Sequence, residues 1–280
     1  MDPQQHVLAG RVAVVTGSTR GLGLAMARLL GRRGATVVLA ARSDVDVVDA
    51  EDELRAEGIE AYGRRCDTAE WADVEALRDE ALAHGTLDIW VNNAGASGVY
   101  GPTASTPVDD FTRVVRTNIL GTFHGSRAAL PVFLGQGHGD LVNVYGQGDR
   151  GPVALQNAYA SSKRWVRQFT ETLQAETKGT GVRVHGLNPG LVMTDLLGKV
   201  SSQPGYETRL GGLQVVVGLW GQTPEVAARP LLGLVTSDRA EFRDLTGMTI
   251  LTRGVRNVLA GRLRRRNRMP MEITVLDAYG

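Results

Sequence analysis

A short β-branched run, Val12–Thr16, leads without a break into Gly17-Ser18-Thr19-Arg20-Gly21-Leu22-Gly23 and then into the helical pattern Leu22–Arg33. Three glycines between a strand and a helix let the backbone turn tightly and come close to a bulky anion. The helix that follows aims its first amides, and the positive end of its dipole, at the same point. The strand before and the helix after separate a pyrophosphate-binding turn from an ordinary glycine-rich loop. Strand, turn and helix in this order also begin a βαβ unit, and with it a parallel sheet.

The same alternation continues. Strands are expected at Thr36–Ala41, Ile59–Cys66, Leu87–Val91, Leu141–Tyr145 and Val182–Leu187, and helices at Asp44–Glu57, Ala69–His84, Val108–Leu134 and Ala158–Thr177. Ser43, Thr68 and Thr106 stand where N-caps are expected, and Pro131 should bend or end the fourth helix. Nearly continuous apolar strands fit a sheet covered on both faces. The expected fold class is α/β, a doubly wound parallel sheet of the Rossmann-like kind. No linker or repeat divides residues 1–280, so one domain is expected, with a core at 11–251 and a C-terminal extension at 252–280. After Leu187 the rhythm changes: Gly198–Gly221 reads as an apolar lid, Thr223–Thr236 as a helix and Met248–Leu251 as the last strand. Arg253–Arg266 reads as a basic amphipathic helix with Val255, Val258, Leu259 and Leu263 as its stripe, and 253–268 holds seven arginines and no acid. A packed helix with a solvated basic face is the reading taken; peripheral membrane contact or partner binding is the alternative.

Composition excludes several classes. The 31 basic and 30 acidic residues nearly cancel, leaving a net charge of +1, so global charge steers the chain to neither nucleic acid nor membrane. Cys66 is the only cysteine, which rules out an intrachain disulfide. No apolar run reaches the roughly 18 residues of a membrane-spanning helix. The start, MDPQQHVLAG, has no basic-then-apolar segment, so a cytoplasmic location is expected. His84, His124, His138 and His185 show no ligand spacing with Cys66, and no metal is expected.

Two constellations carry chemistry. A dinucleotide site for NAD places a carboxylate at the end of the second strand for the ribose diol. Here that stretch ends Ala40-Ala41-Arg42-Ser43, without an acid, and Arg20 adds a second cation from the glycine turn. Guanidinium groups suit a 2′-phosphate, so NADP(H) is the expected cofactor. Further along, Tyr159 and Lys163 lie four apart in a helical stretch, hence on one face. A free phenol holds its proton to about pH 10, and a neighbouring ammonium eases its release, which makes such a pair a general acid/base.

The glycine turn, Asn92-Asn93-Ala94-Gly95, Tyr159-Ala160-Ser161-Ser162-Lys163 and Pro189-Gly190 with Thr194 occur in the order of the short-chain dehydrogenase/reductase family, which the chain resembles from about Arg11 to Leu251. The resemblance implies that Tyr159 protonates a carbonyl oxygen. Lys163 then holds the nicotinamide ribose and lowers the tyrosine pKa, and Asn118 completes a proton relay. It further implies cofactor contacts at Gly17, Ser18, Thr19, Arg20, Gly21, Leu22, Gly23, Arg42, Asp67, Asn93, Ala94, Gly95, Pro189, Gly190, Val192 and Thr194. Family members commonly form homodimers or homotetramers.

One departure stands out. The serine that the family places thirteen residues before the tyrosine is Gly146 here, within Tyr145-Gly146-Gln147-Gly148. Tyr145, Gln147 or a backbone amide are the candidates to replace it. Within the family the chain is most similar to chlorophyll(ide) b reductases, through Asp88-Ile89-Trp90-Val91, the glycine-rich segment after the fifth strand, Leu191-Val192-Met193-Thr194 and Thr223-Pro224-Glu225-Val226. The resemblance implies NADPH-dependent reduction of an aldehyde or ketone, a small-molecule carbonyl substrate. Tyr100, Tyr206 and Trp220, with Gly98–Thr103 and Gly146–Gln156, are the expected walls of an apolar, ring-accepting pocket. The alternative, motivated by Gly146, is a catalytically silent NADP(H)-binding regulator.

Overall fold

The computed structural model describes residues 6–259 and 272–276. In chain order the elements are β1 (Val12–Thr16), α1 (Gly21–Gly31), β2 (Thr36–Ala41), α2 (Asp44–Ala56), β3 (Ala61–Arg65), α3 (Trp71–Ala83) and β4 (Leu87–Asn92). Then come α4 (Val108–Val115), a π-helical turn (Arg116–Leu120), α5 (Gly121–Gln136), β5 (Gly139–Val144), α6 (Asn157–Glu176) and β6 (Val182–Asn188). The remainder is α7 (Asp195–Gly198), β7 (Lys199–Ser202), a 3-10 turn (Glu207–Gly212), α8 (Leu213–Trp220), α9 (Pro224–Ala228), α10 (Pro230–Val235), β8 (Glu241–Arg243), α11 (Gly247–Leu259) and β9 (Glu272–Val275).

Seven strands form one parallel sheet in the order β3-β2-β1-β4-β5-β6-β8, and β7 pairs with β9 separately. Alternate residues of the strands feed two cores. Ala13, Val15, Val37, Leu39, Ile89 and Val91 meet α1, α2 and α10 on one face. Val12, Val14, Val38, Ala40, Trp90 and Leu141 meet α3, α5 and α6 on the other. This two-sided burial explains why the strands lack polar alternation. The order reverses at β1, between β2 and β4, which opens a crevice at the carboxyl ends of β1 and β4.

The first six strands lie within two residues of expectation. The last does not: Met248–Leu251 is inside α11, and the seventh strand is Glu241–Arg243. Thr246 decides the matter, because its hydroxyl accepts from Thr249 N and its carbonyl from Ile250 N, capping a helix over a β-branched run. Pro131 does not end its helix; α5 runs on to Gln136 and stops at Gly137, with φ +75°. Ser43 caps α2 through Asp46 N, whereas α3 starts after Glu70 rather than Thr68 and α4 after Pro107 rather than Thr106. The expected helix Thr223–Thr236 is divided at Pro230, which lacks the amide to continue the first segment.

The expected lid contains β7, the 3-10 turn and α8, with Leu210 and Val217 buried beneath it. The basic helix begins earlier than expected, at Gly247, and its sides are reversed. Val255, Val258 and Leu259 face outward, while Arg253 turns in to a paired contact with Asp244 (2.6 and 2.6 Å) and Asn257 donates to Leu219 O (2.6 Å). Leu263 and the rest of the expected helix to Arg266 lie outside the described residues. Among the described residues, no helix is long and apolar enough to cross a membrane.

Candidate active site

The glycine turn sits at the carboxyl end of β1. Gly17 (φ +63°) and Gly21 (φ +55°) adopt left-handed backbone that favours glycine. Gly23 is glycine for space: a Cβ there would lie 2.1 Å from Gly17 O and 2.6 Å from Asn93 Nδ2. Ser18 fastens the turn to the neighbouring strand, donating to Val15 O (2.6 Å) and accepting from Ala40 N (3.0 Å). Thr16 Oγ1 accepts from the amides of Asn93 and Ala94 (3.0 Å each), and Asn93 Nδ2 donates to Thr16 O (2.9 Å) and Gly17 O (3.0 Å). Asn93 and Ala94 thus brace the turn through their own bonds.

This turn fits a pyrophosphate. The N-cap of α1 is Arg20, in extended backbone, and no side chain caps the first amides; its first turn carries no acid. The loop after β6 closes over the same spot, with the Thr194 methyl 3.0 Å from where a Cβ on Gly21 would sit. That loop turns at Gly190 (φ +73°), whose amide donates to Asn188 Oδ1 (3.0 Å), and Val192 bridges to Gln222. Arg20 is exposed, 3.9 Å from Asp195. Arg42 and Asp67 line a cleft of about 220 Å³ together with Asp109, Arg113 and Arg116; Arg113 is paired with Asp110 and Arg116 with Glu70.

At the other end of the crevice, α6 presents Tyr159 and Lys163 toward the end of β5. Lys163 is buried and donates to Val144 O (3.0 Å), with its Nζ 5.8 Å from the Tyr159 ring centre. Burial lowers the Lys163 pKa to about 8, against a smaller upward pull from Asp149. Burial pushes the Tyr159 phenol up to about 12, and Asp149 adds to the rise. Removal from water is the larger influence on the phenol, ahead of Asp149.

Asn118 is fully buried in the π-helical turn. It accepts from Ala96 N (2.8 Å) and donates to Ala96 O (3.0 Å) and Ser162 Oγ (2.9 Å), while Ser162 donates to Tyr159 O (2.7 Å). Gly95 lies beside this group, with Asn118 Oδ1 and Lys163 Nζ at 3.6 and 3.8 Å from where its Cβ would be.

The family profile described as short chain dehydrogenase matches residues 11–205. The chain belongs to the short-chain dehydrogenase family. Chlorophyll(ide) b reductase NOL of Arabidopsis thaliana is 34% identical over 284 residues, covering 97% of this chain and 78% of that one. The monensin polyketide synthase putative ketoacyl reductase of Streptomyces virginiae is 35% identical over 241 residues, covering 82% and 91%. Among solved structures, a gluconate 5-dehydrogenase from Burkholderia cenocepacia in complex with NADP and tartrate superposes with a TM-score of 0.76 at 27% identity, covering 88% and 97%.

Measured against other short-chain dehydrogenases, the serine position is the informative one. A Cβ on Gly146 would lie 2.4 Å from the Tyr159 hydroxyl. Tyr145 does not replace the serine, because its ring is packed against Gly186, and burial raises its pKa to about 12. Gln147 is exposed at the rim. Trp220 is part-exposed and donates its indole N–H to Ile250 O (2.8 Å), and Tyr206 lies under Arg209. Tyr100 bridges to Ser202, joining the loop after β4 to the lid.

Asp149 was not singled out from the sequence. It is buried, receives Asn188 Nδ2 (3.1 Å) and Arg243, and its amide closes the turn onto Gly146 O (3.3 Å). Among glycines it reads as an ordinary turn aspartate; only the arginines of distant elements show that it is buried. Among the described residues, no group of three His, Cys, Asp or Glu side chains is placed to hold a metal ion.

Proposed function

We propose that this short-chain dehydrogenase reduces an aldehyde or ketone on an apolar, ring-bearing substrate to the alcohol, with NADPH as its cofactor. The observation that carries the reading is the placement of Tyr159 and Lys163 at the end of β5, in the same crevice as the uncapped glycine turn. Gly17 to Gly23 would hold the pyrophosphate, Thr194 the carboxamide side, and Arg20 and Arg42 a 2′-phosphate. Solved relatives are bound to NADP or NADPH, and one to NAD; the absence of an acid after β2 favours the phosphorylated form. When bound, the nicotinamide supplies the hydride that a carbonyl carbon accepts.

The remaining work falls to the chain. A phenol with a pKa of about 12 is protonated throughout the neutral range, so Tyr159 carries the proton that a carbonyl oxygen takes up on reduction. Lys163 keeps most of its charge at pH 7, with a pKa of about 8, and its ammonium stands beside Gly95, ready for a ribose hydroxyl. Asn118 acts by position: its amide is spent on Ala96 and Ser162, which fixes the helix turn that carries Tyr159. A homodimer or homotetramer would use the exposed Phe111, Leu120 and Phe123 of α4, the π-turn and α5.

The test mixes the protein with NADPH and a panel of aromatic aldehydes and follows absorbance of the reduced cofactor. Its disappearance, with one alcohol formed per cofactor, supports the reductase. Tight NADPH binding without turnover across the panel overturns it in favour of the silent regulator.

A further inference from the structure

Gly146 is buried and lies outside the left-handed backbone region, so its conformation does not call for glycine. Space does. A Cβ built on it would stand 2.4 Å from Tyr159 Oη, 3.2 Å from Tyr159 Cζ and 3.2 Å from Lys163 Cγ. The phenol hydroxyl occupies the volume into which any side chain at 146 would extend. We infer that Gly146 is a positioning residue, the seat of the Tyr159 hydroxyl, rather than a serine that has been lost; this rests on the reading of Tyr159 as proton donor.

Two consequences follow. First, Tyr159 itself offers the hydroxyl that meets a substrate oxygen, since of the side chains that could replace the serine Tyr145 is buried against Gly186 and Gln147 is exposed. Second, restoring the family's serine is harmful. Ordinary van der Waals contact begins at 3.4 Å, so a side chain at 146 drives the phenol oxygen back by about 1 Å. A displacement of that size at a reacting group costs about 100-fold in rate.

The experiment has a melting arm and a kinetic arm. Melting temperatures are taken for wild type, Gly146→Ala, Tyr159→Phe and the double variant, without cofactor. Gly146→Ala is expected to lose several degrees, and at least half of that loss should vanish in the Tyr159→Phe background, where the colliding oxygen is gone. An equal loss in both backgrounds, or no loss in either, overturns the proposal. This arm stands even if the protein turns over no carbonyl compound. In the kinetic arm, with NADPH and benzaldehyde, Gly146→Ser is expected to lower kcat about 100-fold while the Kd for NADPH stays within about twofold. A serine variant as active as wild type, or more active, overturns the proposal as well.

Discussion

Lys163 is a cation held where water is scarce, and its replacement by methionine should make the protein more stable and less active. Its pKa falls from 10.5 to about 8 on burial. A gap of that width at pH 7 corresponds to about 3 kcal/mol of destabilisation by the charged side chain. Methionine removes that cost but leaves Val144 O without its 3.0 Å donor, a loss of about 1–2 kcal/mol. The net gain at pH 7 is about 1–2 kcal/mol.

The sign with pH follows from the direction of the shift. Between about pH 8 and 10.5 the unfolded chain binds more protons at this lysine than the folded one, so wild-type stability rises with pH across that window. At pH 9.5 the advantage of Lys163→Met therefore shrinks by about 2 kcal/mol, leaving the variant level with wild type or below it. Tyr145 and Tyr159, both raised to about 12, act the opposite way, but only above about pH 10 and equally in both proteins. Urea melts at pH 7 and 9.5, read by far-ultraviolet circular dichroism, give the difference directly. A variant less stable than wild type at pH 7, or a gap that does not change with pH, would refute the reasoning.

Two further outcomes are expected. Gly23→Ala sets a Cβ 2.1 Å from Gly17 O, a backbone atom that has nowhere to retreat, so the variant should melt lower and bind NADPH at least about tenfold more weakly in calorimetry. Arg42→Asp removes an exposed cation from the cleft it shares with Asp67 and supplies the acid that a ribose diol prefers; the NADPH to NADH affinity ratio should fall by about tenfold to a hundredfold, and an unchanged ratio would remove Arg42 from the phosphate site.

The sequence makes β1, β2 and β4 plain because Val12–Thr16, Thr36–Ala41 and Leu87–Asn92 are buried on both faces, whereas β3, Ala-Tyr-Gly-Arg-Arg at the sheet edge, is legible only from its place in the strand–helix alternation. β8 escapes because Glu-Phe-Arg is short and charged; it joins β6 at the sheet edge, where Glu241 also receives Arg150 and Arg167. Met248–Leu251 misleads because β-branching is a weak local preference that a single capping threonine overrides. At the site, the four-residue spacing of Tyr159 and Lys163 is legible, since helical geometry follows from spacing alone. Burial is not, and burial sets both pKa shifts. The aromatic residues show the same limit: the bond that ties the Trp220 indole to Ile250 O follows from tertiary packing and not from spacing.

The central claim is that the Tyr159 hydroxyl is the proton donor in a crevice that holds NADPH independently of it. Tyr159→Phe addresses it most directly, with NADPH affinity measured by calorimetry and NADPH oxidation measured against the aldehyde that wild type turns over best. The expected result is a Kd within about twofold of wild type and a fall in kcat of at least about a thousandfold. Turnover within tenfold of wild type, at unchanged affinity, would contradict the account.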